Sequence, residues 1–170
     1  TMASGNVAPY VDVKDITMMY SVVDVAGLNS LSRKIFANAA GAICGMVEQE
    51  VTAAVDKPLI TATMFGVTTP CVTMVREGLE QEGFEVLVFH ATGSGGRSME
   101  ALISAGFIAG VADITTTEWC DELVGGVLTA GPDRLDAAAK AGVPQVVSLG
   151  ALDMVNFGAM ETVPEQFKKR

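Results

Sequence analysis

The sequence predicts an α/β fold: an open parallel sheet with helices on both faces, Rossmann-like and preceded by a long helix. Short β-type runs alternate with helical segments from residue 58 onward, and such alternation is typical of a parallel sheet covered by helices. The run Val86–Phe89 is continuously apolar, as expected of a strand that is covered on both faces. With 170 residues, of which 49% are hydrophobic, the chain is long enough to bury a core of this kind.

A long helix is predicted over residues 28–53, before the first strand. Its apolar positions recur every three or four residues, which is the period of one helix face. These positions are Leu28, Leu31, Ile35, Ala39, Ile43 and Met46. A second stripe consists of the small residues Ala37, Gly41 and Gly45. Glycine inside a helix costs about 1 kcal/mol relative to alanine, so two glycines indicate close packing against another element. We therefore expect a contact between domains or subunits here, and a homo-oligomer.

Four strands and the helices between them follow in order. The predicted strands are Leu59–Met64, Glu85–Phe89, Ile108–Ile114 and Gln145–Ser148. The helices between them are bounded by residue types that cap, begin or end helices. The start signals are Thr69-Pro70, the capping-box spacing of Thr115–Glu118 and Gly131-Pro132, and the end signals are Gly83 and Gly142.

Charge and composition exclude several classes of function. The chain has 11 Lys+Arg against 20 Asp+Glu, a net charge of −9. Such a surface repels phosphate backbones, so we expect no nucleic-acid partner. No apolar run reaches the ~18 residues that a membrane span needs, so we expect no membrane partner. Three cysteines without metal spacing and a single histidine exclude a structural zinc site and favour a reducing, cytoplasmic location.

The loops that follow the four strands form the predicted binding site, because ligands bind beyond the carboxyl ends of the strands in an open parallel sheet. Each of these loops is rich in Gly, Ser or Thr, with Thr68 after the first strand and Thr116 after the third. These loops offer hydroxyl and backbone N–H groups as hydrogen-bond donors and contain few acidic side chains. We therefore expect them to bind an anionic ligand.

The strongest binding element is the turn Gly93-Ser94-Gly95-Gly96-Arg97-Ser98, which precedes a helix predicted over Met99–Ala105. Glycines let the backbone approach a phosphate closely, and the start of a helix directs N–H groups and a dipole at an anion. Arg97 adds a bidentate donor of fixed charge. The turn lacks the ending of a Walker loop and the later acidic residue of a dinucleotide fingerprint. A tight strand-to-helix turn without a ligand is the alternative interpretation.

Two other functions stay open. The segment Thr92–Gly96 resembles a degenerate nucleophile elbow, in which Ser94 would be the nucleophile of a hydrolase and His90 the only available base. A structural or regulatory interaction protein without a ligand also fits the apolar composition and the small-residue helix face.

Three carboxylates near the strand ends and two thiols near helix starts are further candidates for chemistry. Asp113, Glu118 and Asp153 are placed to hold a magnesium ion or to act as a base. Cys71 and Cys120 lie near helix starts, where a helix dipole can lower the pKa of a thiol, but inert buried thiols are the favoured interpretation.

Four long segments are distinctive when taken together: Thr1–Tyr10, Lys14–Asp24, Phe89–Arg97 and Gly150–Gly158. In these segments the chain resembles the family of uncharacterised bacterial and fungal proteins that includes the tomato mosaic virus resistance protein. The resemblance runs over essentially all 170 residues. It implies an ATP-binding domain of two α/β subdomains, with ATP or another nucleotide between them.

The same resemblance implies a domain organisation and a set of ligand contacts. Residues 1–27 would be a connecting segment from an N-terminal half that is absent, and residues 28–170 would form the second subdomain. The loop around Ser4 and Gly5 would face the same cleft as the glycine-rich turn. The nucleotide-contacting residues expected from the turn, the strand ends and the resemblance are Gly93, Ser94, Gly95, Gly96, Arg97, Ser98, Ser4, Gly5, Thr68 and Thr116.

Overall fold

The structure, a computed structural model, describes residues 2–52 and 56–168. The chain divides into two units, Thr1–Val55 and Asp56–Arg170. The first unit holds a 3₁₀ turn and two helices, α1 at Ala8–Val11 and α2 at Ser30–Glu48. The long helix expected from the sequence is confirmed, although it is shorter at both ends. The predicted end at residue 53 lies outside the described residues. The predicted domain boundary at residues 27/28 stays a prediction, and α2 groups with the residues that precede it.

The start of α2 is fixed by a reciprocal cap. The side-chain oxygen of Asn29 accepts hydrogen bonds from the Leu31 and Ser32 amides at 3.0 Å and 2.9 Å. In return the Ser32 hydroxyl accepts from the Asn29 amide at 2.8 Å. A cap of this kind is worth about 1 kcal/mol, which explains why the helix begins at Ser30 and not at Leu28.

The apolar stripe of α2 is left largely exposed. Ile43 and Met46 are 56% and 54% exposed, and Ser32 is the buried residue of the helix. A methyl group added at Gly41 or Gly45 would meet open space. The close packing expected at these glycines therefore stays a prediction.

The second unit is the α/β fold that the sequence predicts. Its helices and strands are, in chain order, β1 at Leu59–Met64, α3 at Thr69–Gln81, β2 at Glu85–His90, α4 at Ser94–Ser104, β3 at Gly110–Thr115, α5 at Glu118–Val124, α6 at Asp136–Ala141 and β4 at Gln145–Gly150. All strand pairs are parallel, and the order in the sheet is β2-β1-β3-β4. The four predicted strands are thus confirmed, each within two residues at either end.

Helices lie on both faces of this sheet. The chain moves from β1 to β2 in one direction across the sheet and from β2 through β3 to β4 in the other. Right-handed crossovers therefore place α3 on one face and α4 and α6 on the other. The apolar core lies under α4 and α6, where burying one large side chain contributes roughly 1.5–3 kcal/mol. Its members are Met99, Ile103, Ile108, Val111, Ala137 and Ala138.

Helix starts depart from the sequence expectations in three places. The N-cap of α3 is Thr68, so Thr69 and Pro70 are the first two helical residues. Helix α4 begins at Ser94, not at Met99, and so takes in most of the predicted glycine-rich loop. Helix α6 begins at Asp136, because residues 132–135 form turns that end with Leu135 at φ 83°. The end signals at Gly83 and Gly142, both at positive φ after a helix, are confirmed.

In the part of the chain that the structure describes, no helix has both the length and the apolar character required to cross a membrane.

Candidate functional site

The candidate site lies at the carboxyl edge of the sheet, where the four strands deliver their following loops. Strands β2 and β3 lie on opposite sides of β1, so the crossover direction reverses between β1 and β3. Ligands of open α/β sheets bind in the crevice at such a switch point. Thr68 follows β1 and Thr116 follows β3, so the fold brings these two predicted site residues to the crevice.

The threonine hydroxyls at this crevice are bonded within the protein. The Thr68 and Thr115 hydroxyl oxygens are 2.6 Å apart. Thr115 Oγ1 donates to the Thr63 carbonyl at 2.9 Å, and Thr116 Oγ1 donates to the Ser148 carbonyl at 2.9 Å. These bonds join the carboxyl ends of β1, β3 and β4 into one rim. The hydroxyls expected to contact a ligand therefore serve first to hold the rim together.

The glycine-rich turn is occupied by a carboxylate of the protein itself. Glu118 Oε1 accepts hydrogen bonds from the Gly93 amide at 2.6 Å and the Gly96 amide at 3.1 Å. A Cβ at position 96 would collide with this carboxylate, and one at position 95 would collide with the His90 carbonyl oxygen. Glycine is thus required at both positions by close approach. Two of the amides that the sequence assigned to a phosphate are bonded to Glu118.

The outer side of the same turn is open. Ser94 and Arg97 are exposed, whereas Gly93 and Gly96 are buried. Ser94 and Gly95 are the first two residues of α4, so their N–H groups have no acceptor within the helix. Ser98 Oγ donates to the Ser94 carbonyl at 2.9 Å. Ser94, Gly95 and Arg97 are not buried on this outer side and carry donors suited to an anion.

The proposed nucleophile and base of a hydrolase are not bonded to each other. His90 ends β2 and is exposed, and its ring lies 5.5 Å from that of Phe65. Within the described residues no hydrogen bond joins His90 to Ser94. A general base must reach the proton that it removes, so this geometry gives no support to the hydrolase interpretation.

Beneath the rim lies a buried charge cluster centred on Arg134, which is 2% exposed. The guanidinium forms a two-bond fork with Asp113, at 2.5 Å and 2.7 Å. Its Nε donates to Glu118 at 2.7 Å, and Nη1, one of the two nitrogens that bind Asp113, also lies 3.3 Å from Glu100 Oε1. Burial lowers the pKa of Arg134, but the hydrogen bonds and charges of Asp113 and Glu118 outweigh burial and raise it. The cation therefore stays charged and balances buried carboxylates.

Glu100 extends this cluster to the start of α6. Its two carboxylate oxygens accept from the Leu135 amide at 2.7 Å and the Ala137 amide at 2.8 Å. A carboxylate at a helix start satisfies N–H groups that lack helical partners. Arg134 and Glu100 thus join α4, α6, β3 and α5.

The expectation of magnesium at Asp113 and Glu118 is not supported by their surroundings. Both side chains are at most 1% exposed and already hold Arg134. Asp113 also accepts from the Thr63 hydroxyl at 2.7 Å. Asp153 is exposed. Over residues 2–52 and 56–168, no group of three His, Cys, Asp or Glu side chains is arranged to hold a metal ion.

Cys120 has the surroundings of an inert thiol, which is the interpretation that the sequence favours. Burial raises the pKa of this thiol, and the charges of Asp121 and Asp153 raise it further. Its sulfur lies 3.1 Å from the Leu152 carbonyl, to which it donates. The thiol is therefore kept protonated, the opposite of an activated nucleophile.

The capping box expected at residues 115–118 is wrong. Thr117 precedes α5 without a side-chain hydrogen bond to the helix, and the Glu118 carboxylate bonds two amides at the start of α4 instead.

The predicted contacts from the start of the chain lie in the other unit. Ser4 ends a 3₁₀ turn at Met2–Ser4, and both Ser4 and Gly5 are exposed. Their place in a nucleotide cleft stays a prediction.

Comparison with known proteins places these two units in one family. The model of the uncharacterised protein family UPF0261, C-terminal domain, matches residues 57–170, and the model of the N-terminal domain of that family matches residues 1–52. The chain belongs to the UPF0261 family. The family resemblance drawn from the sequence is therefore confirmed at the level of membership.

Proteins similar to this chain occur in bacteria and in a plant. The chain is 65% identical over 171 residues to a UPF0261 protein of Clostridium tetani, covering 100% of this chain and 42% of that protein. It is 58% identical over 170 residues to a UPF0261 protein of Mesorhizobium japonicum, covering 100% and 43%. The ToMV resistance protein Tm-1 of Solanum lycopersicum is 48% identical over 176 residues, with 100% and 23% covered. The chain thus spans less than half the length of these curated relatives.

The feature that sequence reasoning missed is Arg134. It follows Gly131-Pro132-Asp133, a segment that indicates only a turn or a helix start. The sequence does contain one indication of a buried cation, which is Asp113, an acid inside a predicted strand. A carboxylate buried in a sheet requires a cation or several hydrogen-bond donors.

Proposed function

We propose that the α/β unit binds a small ligand carrying phosphate, ATP or another nucleotide, at the carboxyl edge of its sheet. The observation that carries this proposal is the start of α4, where Ser94 and Arg97 are exposed at the edge where α/β sheets bind ligands. Helix α4 has 11 residues, so its dipole and its first N–H groups favour an anion at this end.

The bonded rim favours one position for the phosphate. Glu118 fills the inner side of the turn, so the ligand binds on the outer side, against the Ser94 hydroxyl, the first amides of α4 and the Arg97 guanidinium. The nucleoside part would extend toward Thr68 and the crevice between β1 and β3. Mg²⁺, where needed, would come with the nucleotide phosphates. The cleft would be completed by the part of the longer UPF0261 proteins that these residues do not match.

Titration calorimetry with ATP tests the proposal on the intact chain and on an Arg97→Ala variant, with and without Mg²⁺. A charge-assisted hydrogen bond is worth about 1.5–3 kcal/mol, so we expect Arg97→Ala to weaken ATP binding by at least about tenfold. Adenosine, which lacks phosphate, should bind far more weakly than ATP.

The matched control is Arg76→Ala, which removes an exposed arginine of α3 that pairs with Glu80 at 3.1 Å. ATP affinity should be unchanged by this substitution. Equal affinity of wild type and Arg97→Ala, or an equal loss in both variants, contradicts the assignment of the phosphate to the start of α4.

A further inference from the structure

Strand β4 has the apolar composition of an inner strand, but it lies at the edge of the sheet. It pairs with β3 on one side, and no strand among residues 2–52 and 56–168 pairs with its other side. Val146 is 74% exposed and Val147 is 48% exposed. Neighbouring residues of a strand point to opposite faces, so both faces of β4 are open at this point. By contrast, Ala62 in β1 is 0% exposed.

Parallel strands of this kind are normally covered on both faces. Natural edge strands are protected by charged residues or proline, because an open edge is a template for pairing with another strand. The six residues of β4, Gln145-Val146-Val147-Ser148-Leu149-Gly150, include neither. Leu149 is also 78% exposed. We therefore expect another element to pair with the free edge of β4 and to cover its apolar side chains.

We propose that β4 is an inner strand in the longer UPF0261 proteins. A further parallel strand lies along its free edge, and the crossover helix that leads to this strand covers an apolar face of β4. Both come from the part of those proteins that the 170 residues do not match. This proposal is independent of the ligand proposed above.

Two observations favour this occupant. The chain covers only 42% and 43% of the Clostridium tetani and Mesorhizobium japonicum proteins, so these relatives contain ample further chain. The sheet also grows outward from β1 through β3 to β4, and successive strands of a doubly wound sheet continue in one direction with right-handed crossovers. The next position in that direction is the free edge of β4.

A second copy of this chain would fit the free edge of β4 less well than a further strand with its crossover helix. Pairing of two β4 edges would satisfy their backbone N–H and C=O groups. It would bring no helix over Val146 or Val147, because covering helices come with crossover connections. Two copies would also each carry a net charge of −9, which opposes association.

Hydrogen exchange followed by mass spectrometry tests the proposal. The 170-residue chain and the longer Clostridium tetani UPF0261 protein are compared in peptides that cover residues 145–150. We expect exchange in this segment to be at least about 100-fold slower in the longer protein, as for an inner strand. The segment 59–64, already inside the sheet, is the internal control and should be protected in both. Equal exchange at 145–150 in the two proteins overturns the proposal.

A charge substitution provides the second measurement. A lysine at the position aligned with Val146 should reduce the folded, protease-resistant fraction of the longer protein severalfold, because it would be buried without a partner. In the 170-residue chain, Val146→Lys should leave that fraction unchanged. Met74→Lys, at a side chain that is 73% exposed on α3, should also leave it unchanged.

Light scattering, which measures the oligomeric state, tests whether a second copy of the chain covers β4 instead. A dimer of the 170-residue chain that Val146→Lys dissociates, with no protection of β4 in the longer protein, overturns the proposal in favour of a second copy.

Discussion

At the scale of single residues, one buried cation organises the carboxyl edge of the sheet. Arg134 bonds Asp113 from β3 and Glu118 from α5, and Glu118 in turn bonds two amides at the start of α4. Hydrogen-bonded in this way, a buried ion pair fixes geometry even where its net contribution to stability is small. Removing one partner is a different matter, because the opposite charges are then left uncompensated.

Arg134→Met should therefore destabilise the protein strongly. It leaves two carboxylates that are at most 1% exposed without their cation, and breaking a buried pair in this way costs about 3–5 kcal/mol. Urea unfolding followed by circular dichroism measures the loss. Arg134→Lys, which keeps the charge but not the two-bond fork, should lose less.

The control for Arg134 is Arg76→Met, in an exposed pair with Glu80. Exposed pairs contribute at most about 1 kcal/mol, so this variant should unfold almost as wild type does. Comparable stability of Arg134→Met and Arg76→Met would show that the buried cluster does not hold the fold.

The residue scale also shows where sequence reasoning reaches its limit. The turn at 93–98 could be predicted, because glycines between a strand and a helix are a local pattern. The bond from Glu118 to Gly93 spans 25 positions, and that from Arg134 to Asp113 spans 21. Such pairings depend on which strands become neighbours, and periodicity carries no information on that.

At the scale of secondary structure, strands were predicted better than helix starts. A buried parallel strand appears in the sequence as a run of apolar and β-branched residues, so its bounds are local. The start of α4 is set instead by Gly93 at φ 84° and by a carboxylate from another element, which lets the helix begin five residues before Met99. The start of α6 likewise depends on Glu100.

Gly96→Ala should destabilise α4 and its surroundings. The added methyl group would occupy the place of the Glu118 carboxylate, which must then leave the Gly93 and Gly96 amides. Overpacking a buried position costs about 1–3 kcal/mol, and thermal unfolding measures it.

Gly78→Ala is the matched control on α3, where the new methyl group meets open space. Replacing glycine by alanine inside a helix stabilises by roughly 0.5–1 kcal/mol, so the two substitutions should have opposite signs. A neutral or stabilising Gly96→Ala would mean that the glycine is not required by the carboxylate.

At the scale of the whole molecule, the two units differ in how their secondary structure is supported. The sheet of the second unit has residues in β1 and β3 that are completely buried, including Thr61, Thr63 and Asp113. Helix α2 of the first unit has 19 residues, of which Ser32 alone is buried. A helix without a packed face depends on its cap and its intrinsic propensity, and these give only marginal stability in water.

Amide hydrogen exchange in the 170-residue chain should therefore separate the two units. In α2, residues 30–48, the free energy of the opening that permits exchange should be less than about 2 kcal/mol. In β1 and β3 this free energy should approach the global free energy of unfolding. Substituting Asn29 by Ala removes the cap and should speed exchange in α2 further, by roughly fivefold for about 1 kcal/mol, with no change in the strands. Equal protection of α2 and β1 would show that the helix is stabilised by packing that the exposed positions of Ile43 and Met46 do not reveal.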